Sequence, residues 1–435
     1  MIYLLEVSKE MITQKCTIAK DAELIYIESD KFKTNYISFS FITNLKEENL
    51  ENYGCIPKIL LEGCQKYRSK KELSKRLKYL YSGEIRGSSS SYGEFYKISL
   101  SADFLNEKYT GDFHINDESI DLLCDIIFRP LLRSGCFLKK YTNEIKADTI
   151  DAIRAEINNK TTYAVSTCKK NMYKGEVFGI GSKGKIENVE KITGKTLYKA
   201  YKYALEHFRV EIYLVGNYDF ESVKNKFGSC FKNIKRVKSQ TKKIEPIYKK
   251  DTKAKEIVES QHITQGKLVM GFRTGTTIES VDYEAMCVFN EILGGSPTSK
   301  LFMNVREKQS LCYFCSSVVS DRAGGLFIIS GIDFANKEKV QKAILKELEN
   351  MRSGKITKTE IENAKKSIMT TYKQISDGPS AMQFWVFSRT ISGRELDPKI
   401  EMEKVESIKK EDIVSFSKKI KLDTIFFLKG DDCNE

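Results

Sequence analysis

The sequence predicts an α+β protein built from two similar domains, and three observations support this. At 435 residues, the chain exceeds the size at which a single hydrophobic core usually stops growing. A composition of 41% hydrophobic and 30% charged residues is typical of a globular protein. The same order of strands and helices occurs twice, on either side of a basic segment. Each domain is therefore expected to have an antiparallel-rich sheet with helices packed on one face.

Each half opens with a predicted strand in which apolar residues alternate with polar ones. A second strand follows in each half, YKISLSADFLN and GLFIISGIDFAN, and we predict that both end in Asp-Phe-x-Asn, with Phe104 and Phe334 on the apolar face. The alternating residues of the opening strands are Ile37, Phe39 and Phe41 in the first half, and Leu268, Met270 and Phe272 in the second.

Helices with recognisable start signals follow the opening strand in the first half and the second strand in the second half. Ser69 with Glu72, and Thr357 with Glu360, have the spacing of a capping box, in which two side chains satisfy free backbone amides of the first turn. Apolar residues at helical spacing precede Pro130 in the first half. A second apolar stripe, from 361 to 375, predicts a longer helix in the second half. Each half closes with a short helix and an apolar strand, VEIYLVGNYD and TIFFLKGDD.

Residues 232–255 carry ten basic side chains against two acidic ones, so this segment supplies eight of the thirteen net positive charges. It has no helical period, which favours a solvated linker. We therefore predict domains at 1–231 and 256–435. Aromatic residues do not alternate with the charges as single-stranded nucleic-acid binding requires, so no nucleic acid is expected as a partner.

Composition also limits the compartment and the metal chemistry. Eleven cysteines lie in no repeating frame and read as reduced thiols, which favours the cytoplasm. The N-terminal segment lacks the pattern of an export signal, and no stretch approaches the length of a membrane span. The three histidines, His114, His207 and His262, are too far apart in sequence for two to share a helical turn.

The segment GGSPTSKLFMNVREKQSLCYFCSS resembles the C-domain signature of the M16 (insulinase and pitrilysin) metallopeptidases, in which an arginine precedes a tyrosine by seven positions. Arg306 and Tyr313 match that spacing. The resemblance extends to SKKELSKRLKYLYSGEI, to GEVFGIGSKGKIENVEKIT and to the repeated domain order. It implies two domains of the M16/LuxS-metallohydrolase-like fold.

Active members of that family carry His-x-x-Glu-His on a helix of the first domain, with two zinc-binding histidines and a glutamate as general base. In this chain, Gly54 and Lys58 stand at the histidine positions and Pro57 at the general-base position. Glu156 falls near the position of a third ligand, and its simpler interpretation is a helix-surface glutamate. One carboxylate does not hold catalytic zinc, so the chain is expected to bind no cofactor.

By the same resemblance, Tyr313 would donate a hydrogen bond to a substrate carbonyl, and Arg306 would bind a nearby carbonyl or carboxylate. The structural alternative is an ion-paired helix arginine and a core tyrosine. Cys312 and Cys315 flank Tyr313. Alternation along a strand would place their side chains on opposite faces, which favours buried thiols over a metal or redox site.

The resemblance implies a subunit that is inactive alone and pairs with a zinc-bearing M16 subunit to cleave peptides. Zinc would then be bound by the partner, and the GGSPTSK loop and the run RGSSSSYGE at 86–94 would line the peptide chamber, although that run also fits a flexible hairpin. Three other interpretations stay open: a structural or peptide-binding homologue without partner-dependent cleavage, a homodimer of the isolated chain and, least favoured, a basic nucleic-acid-associated protein.

Overall fold

The computed structural model describes residue 11 and residues 14–111, 114–248 and 253–431. Most of the N-terminal segment and part of the basic segment, residues 249–252, lie outside this range. The described part contains thirteen strands. They are β1 (Gln14–Ala19), β2 (Ala22–Glu28), β3 (Thr34–Asn44), β4 (Glu84–Tyr92), β5 (Phe95–Leu105), β6 (Leu132–Arg133), β7 (Cys136–Phe137), β8 (Arg209–Gly216), β9 (Lys255–Gln261), β10 (Gly266–Arg273), β11 (Phe314–Ser320), β12 (Gly325–Ile332) and β13 (Lys421–Gly430).

Fourteen α-helices occur in the same described ranges, together with two π-helical segments at Glu291–Gly295 and Leu301–Glu307. The helices are α1 (Leu50–Leu60), α2 (Lys70–Tyr79), α3 (Ile115–Phe128), α4 (Lys139–Asn158), α5 (Lys160–Met172), α6 (Ile186–Val189), α7 (Gly194–His207), α8 (Phe220–Phe231), α9 (Tyr283–Asn290), α10 (Lys337–Arg352), α11 (Lys358–Gln374), α12 (Pro379–Ile391), α13 (Pro398–Ser407) and α14 (Lys410–Lys419).

The chain forms two compact units that are discontinuous in sequence. Unit 1 contains the chain up to Ile153, with Ser182–Lys243 and Ile375–Ile391. Unit 2 contains Arg154–Gly181, Ile244–Gln374 and the chain from Ser392 onward. Unit 2 thus includes α5 from the N-terminal half, and unit 1 includes α12 from the C-terminal half. The domain limits 1–231 and 256–435 remain a prediction beside this grouping.

The two main sheets have the same topology. In unit 1 the strand order is β1-β2-β8-β3-β5-β4, and in unit 2 it is β11-β12-β10-β13-β9. Apart from β1, each strand of the first sheet has a counterpart in the second, with β4 corresponding to β11 and β5 to β12. Pairing is antiparallel except for β2 with β8 and β9 with β13. The predicted α+β fold with a repeated plan is confirmed.

Side chains on the two faces of each strand enter different layers because they alternate along it. In β10, Leu268, Met270 and Phe272 pack into a core with α9, α10 and α14. Val269, on the opposite face, packs against Ala164 and other residues of α5. The second face of the unit 2 sheet is thus covered by a helix as well.

The predicted helix caps form. The amide of Glu72 donates to Ser69 Oγ at 3.2 Å, and Glu72 accepts from the amide of Arg68 rather than from Ser69. Thr357 and Glu360 make both bonds of the capping box, at 2.8 and 3.2 Å.

The structure differs from the predicted Asp-Phe-x-Asn strand end in the second half. β5 includes Asp103 and Phe104, whereas β12 stops at Ile332 and Phe334–Asn336 form a 3₁₀ turn. Phe334 is 39% exposed and does not belong to the apolar face of that strand. The shared Asp-Phe-x-Asn pattern therefore does not specify one conformation.

None of the helices among the described residues combines the length and apolarity that crossing a membrane requires.

Candidate functional site

Helix α1 carries the three positions where the resemblance places the zinc motif. Pro57 lies inside the helix and has no amide to donate to the preceding turn. Packing nevertheless stabilises the helix, because four of its apolar residues are buried in unit 1: Cys55, Ile56, Ile59 and Leu60. Gly54, Pro57 and Lys58 lie at spacings of three and four residues and therefore share one helix face.

Strand β4 and Tyr96 of β5 cover the part of that face around Gly54 and Pro57. A Cβ at Gly54 would lie 3.0 Å from the Tyr96 hydroxyl and 3.6 Å from Ser89 Oγ. Next to Pro57, a Cβ at Gly87 would lie 2.8 Å from the carbonyl oxygen of Pro57. A histidine at position 54 would require Tyr96 to move, so the side chains that replace the motif are integrated into the packing.

Helix α4 closes the remaining part. Lys58 Nζ donates to Thr149 Oγ1 at 3.1 Å, and Cys55 Sγ lies 3.7 Å from the same oxygen. Burial raises the pKa of the Cys55 thiol, which keeps it protonated. An ammonium group and a neutral thiol offer a divalent cation no favourable site.

Zinc does not fit the residues present at these positions. Glu156 lies on α4, two turns beyond Thr149, and is half-buried. No group of three or more histidine, cysteine, aspartate or glutamate side chains within the described ranges is arranged to hold a metal ion. Among the histidines, His207 stacks on Tyr203 at a ring distance of 4.1 Å.

Arg306 lies in the π-helical segment Leu301–Glu307 of unit 2. Its guanidinium stands over the Phe302 ring, 4.5 Å from the centroid, and its Nε is 3.5 Å from Glu307. The side chain is 40% exposed, so both contacts leave much of the charged group accessible. π-Helical turns are rare and often occur at functional sites.

Tyr313 lies where the chain bends just before β11. Its amide donates to the carbonyl of Gly331 at 2.8 Å, and its hydroxyl donates to Asp333 Oδ1 at 2.8 Å. The residue is 56% exposed, so it is not a core aromatic. The hydrogen bond to Asp333 and the charge of that carboxylate raise the pKa of Tyr313.

Cys312 and Cys315 differ from the expectation that they face opposite sides of a strand. β11 begins only at Phe314, and the bend at Tyr313 interrupts the alternation. Cys315 belongs to the core of unit 2 and Cys312 packs against the same core. Both side chains therefore contact the same core, so the argument from alternation was wrong.

The structure places both segments that were expected to line a chamber. The run at 86–94 forms most of β4 and its turn into β5, so it is part of a β-hairpin. In the GGSPTSK segment, Lys300 is buried and pairs with Glu360 at 2.7 Å. A Cβ at Gly294 would lie 2.6 Å from the amide nitrogen of Ser317, so this glycine lets the segment approach β11 closely.

Asp333 is a site residue that sequence reasoning missed. It begins the second Asp-Phe-x-Asn, and its counterpart Asp103 pairs with Arg86 in unit 1. The repeated aspartate was visible in the sequence, but its partner differs between the units because β12 ends before it and β5 does not.

Comparison with known proteins gives consistent results. Residues 191–368 match the family described as peptidase M16 inactive domain. A probable inactive metalloprotease of Bacillus subtilis is 28% identical over 405 residues, covering 93% of this chain and 95% of that protein.

Solved structures agree as well. A conserved protein from Enterococcus faecalis is 26% identical, with a TM-score of 0.91 over 97% of this chain and 99% of the other. A peptidase M16 inactive domain from Pseudomonas fluorescens shares the fold, with 16% identity and a TM-score of 0.78 over 97% of this chain and 99% of that one. Taken with a helix that carries no zinc ligand at the motif positions, these matches show that the chain is an M16-like inactive metalloprotease homologue.

Proposed function

We propose that this chain is the non-catalytic subunit of an M16 peptidase, which binds a peptide and works with a zinc-bearing partner. One observation carries the proposal: the zinc-motif positions are filled by packing residues, while Arg306 and Tyr313 keep polar groups at the surface.

The chemistry of Tyr313 suits the stabilisation of a developing oxyanion. A tyrosine phenol is protonated at neutral pH, and Asp333 raises the pKa of Tyr313 further, so the hydroxyl is a donor. To donate to a substrate carbonyl, the hydroxyl would exchange Asp333 for that oxygen. Arg306 would supply a positive charge and a planar set of donors for a peptide carbonyl or carboxylate.

Strand β4 supports the peptide-binding part of the proposal within unit 1. It is the last strand of its sheet, and in the described residues no strand pairs with its outer edge. Exposed and half-buried residues alternate along it, and it packs beside α1. An extended peptide would pair with the outer edge of β4 as an added strand.

The proposed partner is an M16 subunit with an intact His-x-x-Glu-His motif, which would bind the zinc. We place this assembly in the cytoplasm. Nucleic acid has no part in it, and a homodimer of the isolated chain is the alternative assembly.

The test uses this chain alone, a zinc-motif partner encoded nearby, and the two together in a peptide-cleavage assay. We expect cleavage only in the mixture. In the mixture, Tyr313→Phe should lower kcat on the order of 100-fold, because one oxyanion donor is lost while the ring remains. Arg306→Ala should also reduce turnover.

Tyr79→Phe provides the matched control, since Tyr79 is 76% exposed and lies on α2 of unit 1, whereas Arg306 and Tyr313 belong to unit 2. It should leave kcat unchanged. Full activity of the isolated chain, or normal turnover by both the Tyr313 and Arg306 variants, would refute the proposed role.

A second candidate function is that of a structural or peptide-binding homologue. The closed face of α1 favours it, because Tyr96, Pro57 and Lys58 are all used in packing. Peptide binding by the isolated chain, with no cleavage in the presence of any zinc-motif partner, would distinguish this function from the first.

A further inference from the structure

An open groove in unit 1 brings part of the basic segment together with aromatic residues. It is built mainly by the end of β3, the start of α1, one face of α7 and residues 237–240 of the basic segment. Its volume of about 540 Å³ lies in the range of small-molecule sites. The lining includes none of the positions Gly54, Pro57, Lys58, Arg306 and Tyr313, all of which the structure describes.

Hydrogen bonds hold the basic segment against this groove. The amide of Val237 donates to the carbonyl oxygen of Glu206 at 2.9 Å. The amide of Lys242 donates to Asn44 Oδ1 at 2.8 Å, and Asn44 Nδ2 donates to the carbonyl oxygen of Lys242 at 2.6 Å. The stretch between these bonds is fixed at both ends, which places Lys238 in the lining of the groove.

Three ammonium groups from separate parts of the chain line the groove. Lys46 follows β3, Lys199 lies on α7, and Lys238 lies in the basic segment. Within the described ranges these three lysines form no ion pair, and the lining contains one carboxylate, that of Glu48. Three positive charges against one negative charge favour an anionic ligand.

Aromatic side chains form a second part of the lining. The Tyr203 ring stacks on His207 with 6° between the ring planes, and Tyr203 is 48% exposed. Phe208 stands edge-on to Tyr203 and Tyr53, at ring distances of 5.9 and 5.0 Å. An exposed aromatic ring of this kind is a surface on which another flat ring stacks.

We propose that this groove binds a small molecule that combines an aromatic ring with phosphate groups, of the nucleoside phosphate type. The ring would stack on Tyr203, and the three lysines would surround the phosphates. Phosphates suit the site better than a single carboxylate, because several anionic oxygens can contact separate ammonium groups at once. The site does not depend on the proposed peptidase role.

The first experiment titrates the full-length chain calorimetrically, without a partner or peptide, with adenosine diphosphate (ADP) as the probe. ADP should bind at one saturable site. Adenosine and pyrophosphate should each bind roughly tenfold more weakly, because each lacks one set of contacts. Added salt should weaken ADP binding, since it screens exposed charges. Absence of saturable binding, or pyrophosphate binding as tight as that of ADP, would overturn the proposal.

The second experiment locates the site by substitution. Lys199→Gln should weaken ADP binding roughly threefold to fivefold, the effect of losing one exposed charge. Tyr203→Ala should weaken it by about fivefold or more, as expected when a ring that stacks on a base is removed. Unchanged ADP affinity in either variant would overturn the assignment.

Lys202→Gln and Tyr79→Ala are the matched controls. Lys202 is an exposed lysine of α7, Tyr79 is exposed on α2, and neither lines the groove. Both variants should bind ADP as the unchanged chain does. Circular dichroism of all four variants separates lost contacts from lost folding. An equal loss of affinity in the controls would show that ADP binds elsewhere.

Discussion

Arg236 shows how one residue changes the interpretation of a segment. It lies in the basic stretch that was expected to be solvated, yet it is 8% exposed. Its guanidinium donates to the carbonyl oxygens of Lys20 at 2.8 Å, Asp21 at 3.1 Å and Phe208 at 2.5 Å, and to that of Leu205. Arg236 therefore anchors the segment to unit 1, at the turn between β1 and β2 and at the C-terminal end of α7.

Arg236→Ala should lower the free energy of unfolding by roughly 2–4 kcal/mol, because several buried carbonyl groups lose their donors together. Denaturant unfolding of the full chain measures this. Lys235→Ala, at an exposed neighbouring position, should change it by less than about 0.5 kcal/mol. Equal stabilities of the two variants would show that the Arg236 contacts are energetically unimportant.

At the scale of elements, the packing of α1 against β4 determines which groups surround the zinc-motif positions. Gly87 allows the strand to approach the helix at Pro57, where a Cβ would lie 2.8 Å from the carbonyl oxygen. Glycine is needed here for close approach rather than for its backbone freedom. A larger side chain would push α1 away from the sheet.

Gly87→Val should therefore destabilise the protein by roughly 1–3 kcal/mol, the usual cost of overpacking. Ser88→Val is the matched control, since Ser88 is exposed on the opposite face of the same strand. Valine favours strands, so this variant should be neutral or slightly more stable. Thermal unfolding of both variants measures this difference in stability. A Gly87→Val protein as stable as the unchanged chain would contradict the packing argument.

At the scale of the whole molecule, each unit includes a helix from the other half of the sequence. Ala164, Cys168 and Met172 of α5 pack in the core of unit 2 with Val269 and residues of β12 and β13. In unit 1, Phe387 of α12 lies beneath Lys97 of β5, with the ammonium 4.6 Å from the ring centroid. The N-terminal half of the sequence therefore lacks one helix of unit 1, and the C-terminal half lacks one helix of unit 2.

Separate fragments 1–243 and 244–435 should consequently fail to fold alone, because each lacks a packing helix and carries another whose apolar face has lost its partner. We expect poor solubility or strong binding of a hydrophobic dye by each fragment. Coexpression should recover a soluble complex that a tag on one fragment captures. A cooperative unfolding transition of either isolated fragment would contradict this prediction.

The alternation of apolar residues in β3, β5 and β10 predicted the strands correctly, because side-chain direction in a strand depends only on position. The capping residues located the starts of α2 and α11 for a similar local reason. The exchange of α5 and α12 was not predictable, since the apolar stripe of a helix does not specify which sheet it will cover. The bend at Tyr313 was missed because the backbone there follows a long-range hydrogen bond to Gly331.

The absence of zinc ligands at Gly54, Pro57 and Lys58 follows from side-chain chemistry alone and needed no structure. The closure of that face by Tyr96 and Thr149 does need one, because these residues come from strands and helices distant in the chain. The same distinction applies to Cys312 and Cys315, whose packing at one core could not be predicted from their local spacing. Local spacing reveals which groups are available, but only the packed backbone brings particular atoms within bonding distance, since such contacts depend on long-range closure of the chain.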